Sequence, residues 1–92
     1  MAKIIIPTPL RKFTGNQSTF DVDSQNVQTA IADLVAANPK LAPHILDKNQ
    51  QIRSFIRIYV GDEDINSLDG SETAISNETV VSIVPAIAGG SF

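Results

Sequence analysis

The chain has 92 residues, which is enough for one domain with a small hydrophobic core. Its net charge of −3 argues against non-specific binding to nucleic acid or anionic lipid. The absence of cysteine excludes disulfides, thiolate metal sites and a cysteine nucleophile. Because no apolar run is long enough for a secretion signal or a membrane span, we expect a cytoplasmic protein with no nucleic-acid or membrane partner.

The first half of the chain is predicted to contain a hairpin followed by the main helix. Residues 3–6 form a short apolar strand, and the alternating residues 18–23 form a half-buried strand that pairs with it across a long loop. Ser24 is the predicted N-cap of the helix. The helix ends at Asn38, since the residue before Pro39 is disfavoured in the α region. Its apolar residues at helical spacing are Val27, Ile31, Leu34 and Val35.

The second half of the chain is predicted to contain a short helix and a third strand. Residues 40–47 form the short helix, on which His44 is expected to be exposed rather than to bind a metal. Residues 54–60 form the strand, and alternation places its aliphatic residues under the main helix. Arg53 and Arg57 are expected to be solvated at the surface, and the alternative is that they pair with acidic residues of the sheet or of a partner. The predicted core residues of this strand are Ile56, Ile58 and Val60.

The remaining part of the domain is predicted to be loop-rich and to end in a strand. Residues 61–64 form a turn in which three carboxylates are solvated, and Ile65 begins a very short edge strand. Ile75 is expected to reach the core from an otherwise polar segment. Residues 80–84 are apolar and β-branched, which predicts a buried final strand.

This order of elements predicts an α+β domain in which one main helix packs on one face of a mixed sheet of four to five strands. We expect the first and last strands to lie side by side in parallel, which is the β-grasp (ubiquitin-like) arrangement. Residues 1–85 are predicted to form this domain. Residues 86–92 are predicted to form a flexible C-terminal tail.

The tail is the feature that points to a function. Its sequence is AIAGGSF, and it follows the last apolar strand almost directly. Residues 86–90 would span roughly 16 Å when extended. Because Gly89 and Gly90 have no Cβ, they allow the backbone to enter a narrow channel. A diglycine alone is a weak signal, since flexible chain ends often contain one.

Three blocks of sequence carry a resemblance to a known family. They are residues 6–11 (IPTPLR), residues 55–60 (FIRIYV) with 62–65 (DEDI), and residues 85–90 (PAIAGG). In this order they resemble the ubiquitin-like sulfur carriers of the MoaD/ThiS family. The closest likeness is to the CysO-type carriers of cysteine biosynthesis.

The resemblance implies that the protein is a substrate and carrier, and not an enzyme. It implies that an E1-like adenylyltransferase uses ATP to activate the carboxylate of Gly90, which then becomes a thiocarboxylate. The carrier itself would bind no cofactor and no metal. A sulfur-accepting biosynthetic enzyme would receive the sulfur for cysteine or homocysteine, with molybdopterin and thiamine as the other destinations. In this reading Ala88 and Gly89 thread the tail into these enzymes.

Two residues depart from the simplest family pattern. Ser91 and Phe92 follow the diglycine. In some bacterial sulfur carriers a JAMM-type zinc metalloprotease trims such an extension, and the resemblance implies the same processing here. The alternatives are that Ser91 and Phe92 do not belong to the native sequence, or that they are retained and the tail does not carry sulfur.

The sequence is also compatible with two other functions, and it suggests one docking surface. The activated tail would also suit a ubiquitin-like protein modifier that is joined to lysines through Gly90, and the domain would also suit a non-covalent interaction module. A partner is expected to dock on the sheet face that carries apolar and aromatic side chains. The alternative is that these side chains pack under the loops or are only partly exposed. They are Ile5, Phe55, Tyr59 and Val84.

Overall fold

The computed structural model describes residues 1–85, so the predicted tail at residues 86–92 lies outside the described part of the chain. Five strands and two α-helices are connected by 3₁₀ turns. The strands are β1 (Ala2–Ile5), β2 (Thr19–Val22), β3 (Ile56–Val60), β4 (Glu63–Asp64) and β5 (Val80–Pro85), and the helices are α1 (Val27–Ala37) and α2 (Ala42–Ile45).

The strands form one mixed sheet in the order β2-β1-β5-β3-β4. β1 and β2 form the predicted antiparallel hairpin. β5 lies in the centre, parallel to β1 and antiparallel to β3. The parallel contact of the first and last strands confirms the predicted β-grasp arrangement, because it places the N-terminal strand beside the C-terminal one.

The core lies between the sheet and α1. Alternate strand residues point to the helix side, and Ile4, Ile58 and Val81 are fully or almost fully buried there. The main helix covers them with four buried residues. Ile75 is also buried, as predicted. The buried residues of α1 are Val27, Ala30, Ile31 and Leu34.

The predicted N-cap of the main helix was wrong by two residues. Asn26 caps α1, and its side-chain oxygen accepts a hydrogen bond from the backbone N–H of Thr29 at 2.9 Å. Ser24 instead donates its hydroxyl to Asp33 at 2.8 Å. The cause is tertiary, since the N–H of Val27 donates to the carbonyl of Thr73 and so fixes where the helix begins.

The short edge strand also differs from the prediction. β4 consists of Glu63 and Asp64, inside the predicted turn, and pairs with the end of β3. Gly61 makes this possible because its φ of +62° allows the chain to reverse at once. Ile65 begins a 3₁₀ turn rather than a strand. The side chain of Asp64 accepts a hydrogen bond from the N–H of Asn66 at 2.9 Å, which turns the chain out of the sheet.

Two loop segments lie at the end of the sheet where β1 and β5 finish. The first contains a 3₁₀ helix over Thr8–Phe13 and a turn in which Gly15 has a φ of +66°. The second contains the 3₁₀ turn Pro39–Leu41, which leads into α2 within the predicted helical segment 40–47. None of the helices in residues 1–85 has the length and apolar character needed to cross a membrane.

Candidate docking face and tail root

The face of the sheet opposite α1, called the outer face here, carries three of the four predicted docking residues. Ile5 on β1 pairs with Ser82 on β5, and Ser82 pairs with Tyr59 on β3. Val84, two residues further along β5, pairs with Arg57. Because alternate residues of these strands are buried under α1, these side chains lie together on the other side.

The exposure of this face varies. Val84 is 43% exposed, whereas Ile5 and Tyr59 are half-buried. Phe55 is 38% exposed but precedes β3, in a turn at the end of the sheet. Val80 was predicted as part of a buried strand but is 41% exposed on the same face. Its position an even number of residues before Val84 on one strand was the available signal.

An ion pair lies on the outer face and bears on two predictions. Arg57 donates to the carboxylate of Asp64 at 3.2 Å, so Arg57 pairs with an acidic residue of the sheet, which was the alternative to solvation, and Asp64 is not simply part of a solvated turn. Tyr59 pairs with Asp64 across β3 and β4, which brings the carboxylate beside Arg57. The pair is partly shielded, since the Asp64 side chain is only 18% exposed.

The root of the tail lies at the last residue of the central strand. Pro85 pairs with Ile56, the first residue of β3. The tail therefore starts next to the turn that contains Phe55 and Arg53. The predicted attachment residue Gly90, the threading residues Ala88 and Gly89, and the removable Ser91 and Phe92 all lie outside the described residues.

Arg53 is held firmly in this turn. Its backbone N–H donates to the carbonyl of Ile45 and its Nε donates to the carbonyl of Pro43, each at 2.8 Å. Its guanidinium carbon lies 5.9 Å from the centre of the Phe55 ring, within the range of a cation–π contact. The predicted solvation of Arg53 is therefore wrong for Nε, because this nitrogen is used within the domain.

His44 is exposed, as expected, but it is not isolated. Its ring stacks on that of Phe13 with centroids 4.1 Å apart. This contact joins α2 to the 3₁₀ helix that follows β1. In residues 1–85, no group of three or more His, Asp or Glu side chains is arranged to hold a metal ion.

A cavity of about 650 Å³ lies on the helix side of the sheet, beside α1 and β3. Its lining is mixed, with Ile31, Ile52 and Ile58 among the apolar residues and several glutamine, asparagine and serine side chains among the polar ones. Arg53 is the one ionisable side chain in the described lining. This cavity therefore does not bring together a pair of groups for acid–base chemistry.

The sheet order, the parallel contact of β1 with β5 and the single main helix define a ubiquitin-like β-grasp protein. Within this class the assignment is more specific. The ThiS family model matches residues 4–90, so the chain belongs to the ThiS family.

Curated relatives agree with this assignment. The chain is 35% identical over 89 residues to the sulfur carrier protein CysO of Mycobacterium tuberculosis, an alignment that covers 95% of this chain and 96% of that protein. It is 32% identical over 77 residues to a putative sulfur carrier protein of Archaeoglobus fulgidus, which covers 82% of this chain and 88% of the relative.

Solved structures share the fold. A chain of the Amycolatopsis orientalis BexX/CysO complex has a TM-score of 0.87 and 30% identity, covering 98% of this chain and 100% of that one. The small archaeal modifier protein 1 of Methanosarcina acetivorans has a TM-score of 0.86 and covers 97% of this chain and 95% of its own. At 22% identity, the second likeness shows the fold alone.

Proposed function

We propose that this protein is a sulfur carrier whose tail ends, after processing, in a thiocarboxylate at Gly90. The family match carries this proposal, because it extends through the tail and stops at residue 90. The 35% identity to CysO over nearly the whole chain adds support. The protein acts in this scheme as a substrate of other enzymes and has no active site of its own.

The chemistry takes place at the carboxylate of Gly90. One carboxylate oxygen attacks the α-phosphorus of ATP on an E1-like adenylyltransferase, and pyrophosphate leaves. Sulfide then attacks the acyl carbon, and AMP leaves with the oxygen that joined it to the chain. The carbon keeps one oxygen and gains one sulfur. A biosynthetic enzyme that holds an amino-acid or cofactor precursor then accepts the sulfur.

Processing has to precede activation. Ser91 and Phe92 stand between Gly90 and a free carboxylate. We therefore assign their removal to a JAMM-type zinc metalloprotease. The family match ends at residue 90, so Ser91 and Phe92 lie beyond the matched part of the chain, and this supports the step.

Docking of these enzymes is assigned to the outer face and the tail root. Val84 is exposed near the end of β5, the last strand before the tail. Phe55 is exposed beside the point where the tail begins. An enzyme that receives the tail must approach this end of the sheet. Binding would remove the apolar side chains there from contact with water, which favours the complex.

The decisive experiment compares three forms of the protein in an assay for ATP-dependent activation. A chain ending at Gly90, the same chain with Gly90→Ala, and the 92-residue chain are each mixed with ATP, sulfide and the E1-like adenylyltransferase of the same organism. We expect pyrophosphate release and thiocarboxylate formation with the first form only. Intact mass measures the replacement of oxygen by sulfur.

Intact mass of the protein from its native cell gives the second test. Loss of Ser91 and Phe92 together with partial exchange of oxygen for sulfur supports the carrier. An isopeptide between Gly90 and lysines of other proteins would instead indicate a protein modifier. A chain that keeps Phe92 under every growth condition, and that no adenylyltransferase activates after trimming, would leave a non-covalent module.

A further inference from the structure

The charges of this acidic protein are separated toward opposite ends of the domain. Residues 7–18 and 38–57 surround the end of the sheet where the tail begins, and we call this the basic end. These two segments contain one of the ten acidic residues, Asp47. They contain six of the seven Lys and Arg residues: Arg11, Lys12, Lys40, Lys48, Arg53 and Arg57.

The other end of the domain is acidic. The loop before α1, the β3–β4 turn and the turn before β5 lie there, because β2 and β3 end and β5 begins at that side. Lys3 is the one basic side chain outside the basic end. The acidic side chains in and next to these turns include Asp23, Asp62, Glu63 and Glu78.

Contacts within the basic end hold its two segments together around the tail root. Arg53 lies in the turn before Ile56, which pairs with Pro85, and bonds to Pro43 in the helix α2. α2 in turn contacts the first segment through the stacked rings of His44 and Phe13. In the first segment, Arg11 donates its Nε to the carbonyl of Ile6 at 3.0 Å and Lys12 lies over the Phe13 ring at 5.2 Å.

Acidic groups of the domain neutralise little of this charge. Among residues 1–85 the one ion pair is Arg57 with Asp64. Asp47, the acidic residue of the basic end, accepts hydrogen bonds from the backbone N–H groups of Asn49 and Gln51 and so braces its own loop. The exposed ammonium groups of Lys12, Lys40 and Lys48 therefore present a positive surface around the tail root.

We infer that the basic end is a steering surface for enzymes whose tail channel opens through a rim of Asp and Glu carboxylates. This inference rests on the proposed function, because it specifies the surface of the partners that receive the tail. Opposite charges at the two ends orient the protein during approach, so that the tail faces the channel first.

We expect the basic end to attract carboxylates at the mouth of the channel and not the phosphates of ATP, because the tail separates the domain from ATP. Residues 86–90 span roughly 16 Å when extended. The Debye length is about 8 Å at physiological ionic strength, so the basic end is screened from phosphates bound near Gly90. Its charges act on groups that the domain itself touches.

The charge pattern favours a protein partner over a nucleic acid. A nucleic acid is an extended polyanion, and the carboxylates of the acidic end together with the net charge of −3 repel it. A carboxylate rim around a channel is small enough to meet the basic end alone. A binding measurement with DNA distinguishes an acidic protein partner from a nucleic acid.

The test uses two double variants that have the same net charge. Lys12→Gln with Lys48→Gln removes two positive charges from the basic end. Gln25→Glu with Asn77→Asp adds two negative charges to exposed positions at the acidic end. Both are made in the chain that ends at Gly90 and are assayed with ATP and the E1-like adenylyltransferase of the same organism, at low salt and at about 0.5 M salt.

We expect the basic-end variant to lower kcat/KM for pyrophosphate release about threefold to tenfold at low salt, through KM, with kcat unchanged. We expect the acidic-end variant to match the unmodified chain, and the difference to vanish at high salt. Equal effects of the two variants, or no effect of either while the unmodified chain is activated, would overturn the inference and leave the proposed function standing. If the unmodified chain is not activated, the result contradicts both the inference and the proposed function.

A binding measurement with a single-stranded 20-base DNA decides between the partner classes. We expect no binding at physiological salt. Binding that the Lys12→Gln/Lys48→Gln variant abolishes would show that the basic end serves a nucleic acid, and would overturn the assignment of an acidic protein rim.

Discussion

Pro85 at the end of β5 lies directly opposite Ile56 at the start of β3. This pairing connects three parts of the molecule that are distant in sequence. It places the root of the tail beside the turn of Arg53 and Phe55, and it sets Val84 across from Arg57 on the outer face. The tail therefore begins where an exposed apolar residue and the basic end meet, and the proposed docking region consists of these two features.

The burial of neighbouring residues on β1 predicts very different costs of truncation. Ile4 is fully buried under α1, whereas Ile5 is half-buried on the outer face. We expect Ile4→Ala to lower the free energy of unfolding by about 2–5 kcal/mol, because it leaves a cavity in the core. We expect Ile5→Ala to cost less than half as much. Urea unfolding of both variants measures this, and similar costs would contradict the assignment of the two faces.

The cap of the main helix predicts a second difference between near neighbours. Asn26→Ala removes the acceptor for the N–H of Thr29 and is expected to lower the free energy of unfolding by about 1 kcal/mol. Ser24→Ala removes only an exposed hydrogen bond to Asp33 and is expected to cost less than about 0.5 kcal/mol. Thermal or urea unfolding distinguishes them. A larger loss for Ser24→Ala would support the cap that the sequence indicated.

Most of the fold follows from local sequence patterns. Alternation identified β2 and the core face of β3, and helical spacing identified α1. A single apolar residue in a polar segment, Ile75, was enough to predict a buried contact. These predictions succeeded because side-chain burial in each element repeats with the period of its backbone.

Features that depend on tertiary contacts were not predictable in this way. Ser24 and Asn26 are both good caps, and the choice between them depends on the hydrogen bond from Val27 to Thr73. β4 has only two residues, both acidic, and exists because the reversal at Gly61 brings them beside β3. A strand of two residues is too short to show an alternation pattern, so periodicity cannot predict it.

The placement of the candidate docking residues was predictable in part. The sequence identified outer-face residues such as Ile5 and Val84 because strand alternation separates them from the core. The ion pair of Arg57 with Asp64 and the clustering of basic residues required the sheet order. Arg11 and Arg53 are far apart in sequence, and only the fold brings their segments to the same end.

The ion pair on the outer face predicts a small, salt-dependent coupling. A double-mutant cycle with Arg57→Ala and Asp64→Asn is expected to give about 0.2–1 kcal/mol at low salt and less in 1 M NaCl, since Arg57 is half exposed. Asp64→Asn is preferred to Asp64→Ala because its side-chain oxygen still accepts from the N–H of Asn66. Unfolding is measured in urea because urea is uncharged and does not screen the ion pair. A coupling that does not change with salt would argue against an ion pair.

Two valines on the same strand provide the sharpest test of the docking region. Val84 and Val80 are 43% and 41% exposed on the outer face, but Val84 lies next to the tail root and Val80 lies at the acidic end. Because their exposure is nearly the same, serine at either position is expected to change the free energy of unfolding by a similar amount, within about 1 kcal/mol.

Their effects on binding should differ. In the chain that ends at Gly90, we expect Val84→Ser to weaken binding to the E1-like adenylyltransferase about fivefold, because a contact near the centre of the docking region loses apolar area. Val80→Ser should change the Kd less than about twofold. Calorimetric titration of both variants measures this. Equal weakening would place the partner over the whole outer face, and a larger effect of Val80→Ser would move the docking region away from the tail.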